Sequence, residues 1–391
     1  MGSVETDELA FVSFYNRYGI SPVSQDISDL ESHFRRRGFL YSQLGLAPAL
    51  IAGRSVLEFG PGSGHNSLYT ASCNPARYVL VDANERAIAD LHESLAPYLT
   101  TAGIEIVTSL FWDFVDDGRF DIVLAEACIP HQIDPVGVLS TVARHVLPGG
   151  VLVITCISGV SYLSETLRRL IRDRLIPADA PPDRQLDLLR PVFGPHLEHL
   201  HGRSRPVDDW ILDNIVQPFP GSLMSIEDAV GAVAGEFEFV ASSPRFLTDL
   251  RWYKDAQESF APFLIEQSHS HALNFMDYRL DLPAGDPAIG RELDGAGKGL
   301  WDAMQVIEAG GPDSDSAWDV VVDLVEEVAS TVQDDSPETA RAVREVGWAL
   351  QVGSGDQPMP AFSRLWGRGQ QYLSFARRRN PMVPPVRGDL R

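Results

Sequence analysis

Ser55-Val56-Leu57-Glu58-Phe59-Gly60-Pro61-Gly62-Ser63-Gly64-His65-Asn66 is the stretch whose reading decides the fold. Val56 to Phe59 is a short apolar run carrying one acid, the pattern of a strand buried in a parallel sheet. Glycines follow at positions 60, 62 and 64. Gly60 lets the strand turn sharply, and Gly62 leaves bare main chain to lie against a ligand. Gly64 lets the next helix start close to the sheet, with its unpaired N–H groups and positive dipole end facing the ligand. A strand, a glycine turn and a helix make a nucleotide-site hypothesis that needs support from its neighbours.

The neighbours supply it. Tyr78-Val79-Leu80-Val81-Asp82 is a second apolar strand ending in a carboxylate, where a doubly wound sheet places the acid that accepts from a ribose diol. Strands are expected near 55–59, 78–82, 104–108, 120–126 and 151–156, with helices over 65–73, 84–97 and 134–146. Alternation of strands and helices implies a parallel sheet with right-handed crossovers, and ligands at the carboxyl ends of the strands.

Two motifs carry a resemblance. Glu58-Phe59-Gly60-Pro61-Gly62-Ser63-Gly64 is similar to the E/D-x-G-x-G-x-G loop of the class I S-adenosylmethionine-dependent methyltransferases, which lacks the dinucleotide spacing. Val146-Leu147-Pro148-Gly149-Gly150 is similar to the L-x-P-G-G turn before their fifth strand, with valine in the leucine position. The resemblance covers roughly residues 50 to 157. It implies a bacterial small-molecule type of that family, S-adenosylmethionine as cofactor and S-adenosylhomocysteine as product. The fold it implies is α/β: a doubly wound, mostly parallel seven-stranded sheet with helices on both faces, an inserted lid and a helical C-terminal extension.

The resemblance also assigns cofactor contacts to Glu58, Gly60, Pro61, Gly62, Gly64, Asn66, Asp82 and Ala83, with Glu126 at the end of the fourth strand. Where the family commonly carries an adenine-holding acid, this chain has Ser109. Either Asp113 supplies that contact from a shifted loop, or backbone groups and a wall including Leu110 and Trp112 hold the ring. Family members often close an N-terminal helix over the cofactor, which makes Tyr15 and Tyr18 candidate gates beside the plainer reading as core.

Composition bounds the rest. A net charge of −22 over 391 residues argues against a nucleic-acid substrate, because phosphate binding needs a basic face. No apolar run approaches the roughly 20 residues of a membrane span, and Met1 to Ala10 is acidic, unlike a leader. Cys73, Cys128 and Cys156 lack metal spacing and read as reduced core thiols of a cytoplasmic protein.

Five segments are expected: 1–50, helical and closing over the cofactor; 51–157, the cofactor-binding core; 158–224, a substrate lid; 225–280, the last helix and antiparallel strands of the core; and 281–391, a helical extension. Phe237 to Val240 and Phe246 to Tyr253 fit the last two strands, and Phe362 to Arg378 fits a last helix. Residues 281–297 read as loop. Arg35, Arg36 and Arg37 are placed on the wet side of a helix over Asp29 to Leu44. Trp301, Trp318, Trp348 and Trp366 pack the C-terminal helices on each other or on a second subunit, so those helices offer a homodimer surface. His196, His199 and His201 have spacings that do not share one helical face, which disfavours a metal site.

The expected function is transfer of a methyl group to an oxygen or nitrogen of a small organic molecule. Attack by an activated carbon, and a non-catalytic cofactor-binding or assembly role, stay open. His131, just past the fourth strand, is the first candidate for a general base because its ordinary pKa lies near neutrality. A structural role for it is at least as well supported. Glu126, Asp209 and His271 follow. Arg205, Arg245, Arg251 and Arg279 could clamp an anionic acceptor group, and serve more simply as salt-bridge partners.

Overall fold

The structure, a computed structural model, describes residues 14, 25–99, 103–116, 118–177, 180–203, 205–250, 252–255, 260–353 and 358–379. Tyr15, Tyr18 and Arg251 lie outside the described residues.

Strand β1 (Ser55–Phe59) is the third strand of a seven-stranded sheet of order β3-β2-β1-β4-β5-β7-β6. It pairs in parallel with β2 (Arg77–Asp82) and β4 (Phe120–Ala125). β3 (Ile104–Thr108) adds outside β2, and β5 (Val146–Cys156) outside β4, both in parallel. β6 (Phe237–Ser243) and β7 (Gln371–Arg377) complete it, with β7 antiparallel to both β5 and β6. Phe59 stands level with Val81 on one side and Ala125 on the other, so the loops after β1, β2 and β4 leave one edge of the sheet together.

The sheet is buried on both faces, and the two-residue period of a strand divides its side chains between them. Leu57, Phe59, Val79, Val81, Val123 and Ala125 belong to one apolar cluster. Val56, Tyr78, Leu80, Ile122 and Leu124 belong to the other. The helices of six residues or more start where local chemistry permits. Those before β6 are α1 (Leu30–Gln43), α2 (Ser67–Ser72), α3 (Glu85–Ser94), α4 (Pro135–Arg144), α5 (Leu163–Leu175), α6 (Pro182–Leu197) and α7 (Ile226–Val233). Asn84 caps α3 by accepting from the N–H groups of Arg86 and Ala87, and Asp134 caps α4 ahead of Pro135. Ser225 and Asp228 form a reciprocal capping box at α7.

Between β6 and β7 run α8 (Ala261–Ser270), α9 (Pro287–Ala309), α10 (Ser314–Thr331) and α11 (Pro337–Val352). The helical extension is therefore present, and it is followed by a strand that returns to the sheet. This corrects two expectations. The stretch 246–253 is not the seventh strand: Leu250 is 90% exposed and Tyr253–Asp255 is a single 3-10 turn. Pro244, which has no N–H to extend the ladder, closes β6. The helix expected over 362–378 stops after one turn, Phe362–Arg364. Gly367 crosses so close to Ser161 that a Cβ would lie 2.1 Å from its carbonyl oxygen, and Gly369 has φ +55°. Gln371, Leu373 and Phe375 then repeat at strand period and are buried. The expected loop over 281–297 ends early as well, because Asp286 accepts from the Ala288 N–H and Pro287 opens α9.

Candidate active site

The loops that leave the sheet together enclose a cavity of about 530 Å³, within the range of small-molecule sites. Its floor is the glycine turn. Gly60, Gly62 and Gly64 have φ of +64°, +56° and +77°, the left-handed region that side chains disfavour. Gly60 and Pro61 line the cavity. A Cβ on Gly60 would lie 2.6 Å from that of Cys128, and one on Gly64 would lie 2.7 Å from Leu91 of α3. Gly64 thus lets α3 come close. The Gly62 N–H is turned to Asp82 Oδ2 at 3.2 Å.

Five carboxylates border the space: Glu58, Asp82 and Glu126 on strand ends or just past them, with Glu165 and Asp213 from helical segments. Asp82 also accepts from the Asn84 N–H at 2.9 Å, and its burial raises its pKa against these two bonds. Glu58 accepts from Tyr78 Oη and from Ser67 Oγ, the latter at 3.0 Å. Burial and the nearby Glu126 push its carboxyl up to about 7. Glu126 is gripped by both terminal nitrogens of Arg37, at 2.7 and 2.8 Å, and by Tyr41 Oη at 3.1 Å. Asp213, from the segment above, pairs with Arg205. The expectation of a wet Arg37 is therefore corrected: it points inward from α1 because Glu126, a buried anion, attracts it. Arg35 and Arg36 match the solvated reading, Arg35 on exposed Glu31.

α1 and the chain before it are fastened over this edge. His33 Nε2 meets the His65 carbonyl oxygen at 2.8 Å, and the Gln25 N–H donates to His65 Nδ1 at 2.9 Å. Gln25 and Asn66 line the cavity with Ala83, Leu110 and Trp112. Phe111 joins them, its ring edge-on to Phe59 at 5.4 Å. Ser109 spends its hydroxyl on the Leu110 carbonyl oxygen, and neither it nor Asp113 borders the cavity. Leu110, Phe111 and Trp112 form the wall of the cavity at this point.

The other end of the space is aromatic. His131 has φ +71° and is held by its N–H to the Ser222 carbonyl oxygen at 2.8 Å. Its ring stacks on Phe219 at 4.3 Å, with Tyr162 at 5.1 Å and Trp301 at 5.2 Å. Among the described residues Nδ1 is buried with no hydrogen-bond partner. Burial and Arg169 push the imidazole down to about 3, so it is neutral near pH 7 and a weak base. Tyr162, Trp210 and Glu165 border the same region. Asp209 and His271 do not, and His271 Nδ1 faces Asn274. Of the other arginines, Arg279 pairs with Asp277, and Arg245 donates to the Ser42 carbonyl oxygen. Among the described residues no group of three His, Cys, Asp or Glu can hold a metal ion, and His196 packs edge-on to Phe193 and Phe362.

This roof is braced from below. Arg169 donates to the carbonyl oxygens of Asn214 and Gln217, and Arg172 to that of Ile215; both also pair with Glu308 of α9. Trp301 Nε1 donates to the Gly221 carbonyl oxygen at 3.1 Å. Trp301 and Trp366 are buried inside the chain, whereas Trp348 is half exposed. Asn84, Glu165 and Tyr372 are lining residues that the sequence reading did not select. The capping position of Asn84 was a usable signal; Tyr372 stood in a stretch read as helix.

Residues 32–187 match a family model described as a methyltransferase domain. That span holds β1 to β5 and the glycine turn, the part of the chain on which the resemblance to class I S-adenosylmethionine-dependent methyltransferases rests. S-adenosylmethionine is the cofactor of that class, and a cradle of bare main chain beside buried carboxylates suits its cationic donor end.

Among solved structures, the chain is similar to the CcbJ methyltransferase from Streptomyces caelestis, at 21% identity over 33% of this chain and 50% of that one, TM-score 0.28. It is similar to the N-methyltransferase NodS from Bradyrhizobium japonicum in complex with S-adenosylhomocysteine, at 18% over 38% and 74%, TM-score 0.30. It is also similar to the Burkholderia thailandensis 1,6-didemethyltoxoflavin-N1-methyltransferase, at 19% over 40% and 66%, TM-score 0.30. The chain spans about half the length of the first of these. No curated protein matches it. Among the described residues no helix is long and apolar enough to cross a membrane.

Proposed function

We propose that this protein transfers a methyl group from S-adenosylmethionine to an oxygen or nitrogen of a small organic acceptor. The observation that carries the reading is one cavity bordered both by the glycine turn with Asp82 and by the aromatic set around His131. Asp82 would accept from the ribose hydroxyls, Gly60 and Pro61 would face the methionine end, and Leu110, Phe111 and Trp112 would wall the adenine. When bound, the cofactor supplies a methyl carbon already activated by cationic sulfur. The chain's own residues then have to align the acceptor and exclude water, and positioning of this kind can be worth roughly 7–11 kcal/mol.

Leu200, Arg203, Trp210, Asp213 and Phe219 line the cavity and support the reading of 158–224 as a substrate lid. His131, neutral and stacked between rings, serves there as wall and spacer. Its weak basicity makes it a poor proton acceptor.

Calorimetry with S-adenosylmethionine and S-adenosylhomocysteine tests the cofactor half. Binding is expected for the parent protein and absent in Gly62→Arg, whose side chain would start from φ +56° beside Asp82. Failure of the parent to bind either compound refutes the reading. The mass and proton spectrum of a labelled product then tells oxygen and nitrogen acceptors from carbon.

A further inference from the structure

We infer that the acceptor end of the cavity is an amine site in which Glu165 binds the amine and takes up its proton. The inference deepens the methyltransferase reading and rests on it.

The reasoning follows the carboxylates that border the cavity. Glu126 has Arg37, and Asp213 has Arg205. Asp82 has two backbone N–H groups, and Glu58 has two hydroxyls. Among the described residues, Glu165, in the first turn of α5, accepts from one side chain, Ser164 Oγ at 2.7 Å, besides its own backbone N–H, and no cation is bonded to it. The nearest guanidinium, one turn along, is committed elsewhere: Arg168 donates to the carbonyl oxygens of Ser164 and Leu365 and lies 3.5 Å over the Trp366 ring. Glu165 is nevertheless buried. A buried carboxylate with one hydroxyl and no bonded cation is a costly arrangement unless a ligand brings the missing charge.

The surroundings select the sign of that ligand. Tyr162, Trp210, Phe219 and His131 line the same cavity, and ring faces attract cations, that of Phe219 being already shared between His131 and Arg169. A primary or secondary ammonium with an apolar body satisfies both the carboxylate and the rings. Burial raises the Glu165 pKa, which favours exchange of a proton with an amine near neutral pH. An ammonium must shed one N–H proton before its lone pair can attack carbon, and a Glu165 carboxylate oxygen is the group placed to receive it. An acceptor carrying a carboxylate in that position would instead set two anions together.

The test is calorimetry on the full chain saturated with S-adenosylhomocysteine, using phenethylamine, 2-phenylethanol and 3-phenylpropionate as three probes with one aryl body. Phenethylamine is expected to bind at least tenfold more tightly than the other two. Glu165→Gln should bring the amine to the level of the alcohol and leave the S-adenosylhomocysteine Kd unchanged, and Glu165→Asp should restore part of the preference. The inference is overturned if the alcohol or the acid binds as well as the amine, if none of the three binds, or if the preference survives in Glu165→Gln. S-adenosylhomocysteine failing to bind the parent chain would remove the methyltransferase reading itself; loss of amine selectivity with S-adenosylhomocysteine bound would remove this inference alone.

Discussion

Replacing Arg37 by alanine should cost the protein about 3–5 kcal/mol, the range for removing one member of a buried ion pair. The structure places this pair in that range and not among surface bridges: the two side chains are 8% and 7% exposed, and the guanidinium is bidentate. Without Arg37, Glu126 keeps only Tyr41 Oη among its present donors. At about 2.1 cal/mol/K per residue of unfolding entropy, a chain of 391 residues should lose roughly 4–6 °C in Tm. Urea unfolding at pH 7, followed by circular dichroism, gives the free energy directly. The double variant Arg37→Met with Glu126→Leu separates the pair from general damage, since apolar replacement of both partners is often close to neutral. Its stability should return to within about 1–2 kcal/mol of the parent on that account. The reasoning fails if Arg37→Ala lies within about 1 kcal/mol of the parent, or if the double variant is as unstable as the single one.

Two further predictions concern pH. Glu58 is raised to about 7 by burial, so the folded protein keeps a proton that the unfolded chain releases near 4.5. The stability tied to that proton is whole below about pH 4.5 and lost as pH rises through about 7. Glu58→Gln should therefore flatten the decline of Tm across that window and leave the variant, without cofactor, the more stable protein at pH 8, by up to about 3 kcal/mol; equal slopes for the two proteins would refute this. His131 has the opposite sign, being held down to about 3 against 6.5. Its contribution is whole above pH 6.5 and lost as pH falls toward 3, so His131→Phe should remove up to about 2 kcal/mol of the parent's loss of stability between pH 6.5 and pH 5. Unfolding free energies at those two pH values check it, and an unchanged difference would count against a neutral, unpartnered imidazole.

Much of the cofactor end was legible before any coordinates. The run Val56–Phe59, the three glycines and the acid at Asp82 are local signals, because burial on two faces and positive φ leave their mark on consecutive residues. The capping box at Ser225 and Asp228 is local too, and its helix begins where the sequence indicates. Arg37 was misjudged because helical position alone puts three successive arginines on a wet face, while the anion that draws one inward lies 89 residues away.

What the sequence by itself determined is the order of the first five strands, the glycine turn between β1 and α2, and the carboxylate across from it. Each follows from the period and stereochemistry of a few adjacent residues. Only the tertiary structure decided that β7 comes from residues 371–377, after the helices of residues 261–352, and so brings Tyr372 to the cavity. It alone set His131 against Phe219 and, among the described residues, left Glu165 without a bonded cation near aromatic rings. These are meetings between residues far apart in the chain, and the energies that hold them depend on burial and on partners that no short stretch of sequence contains.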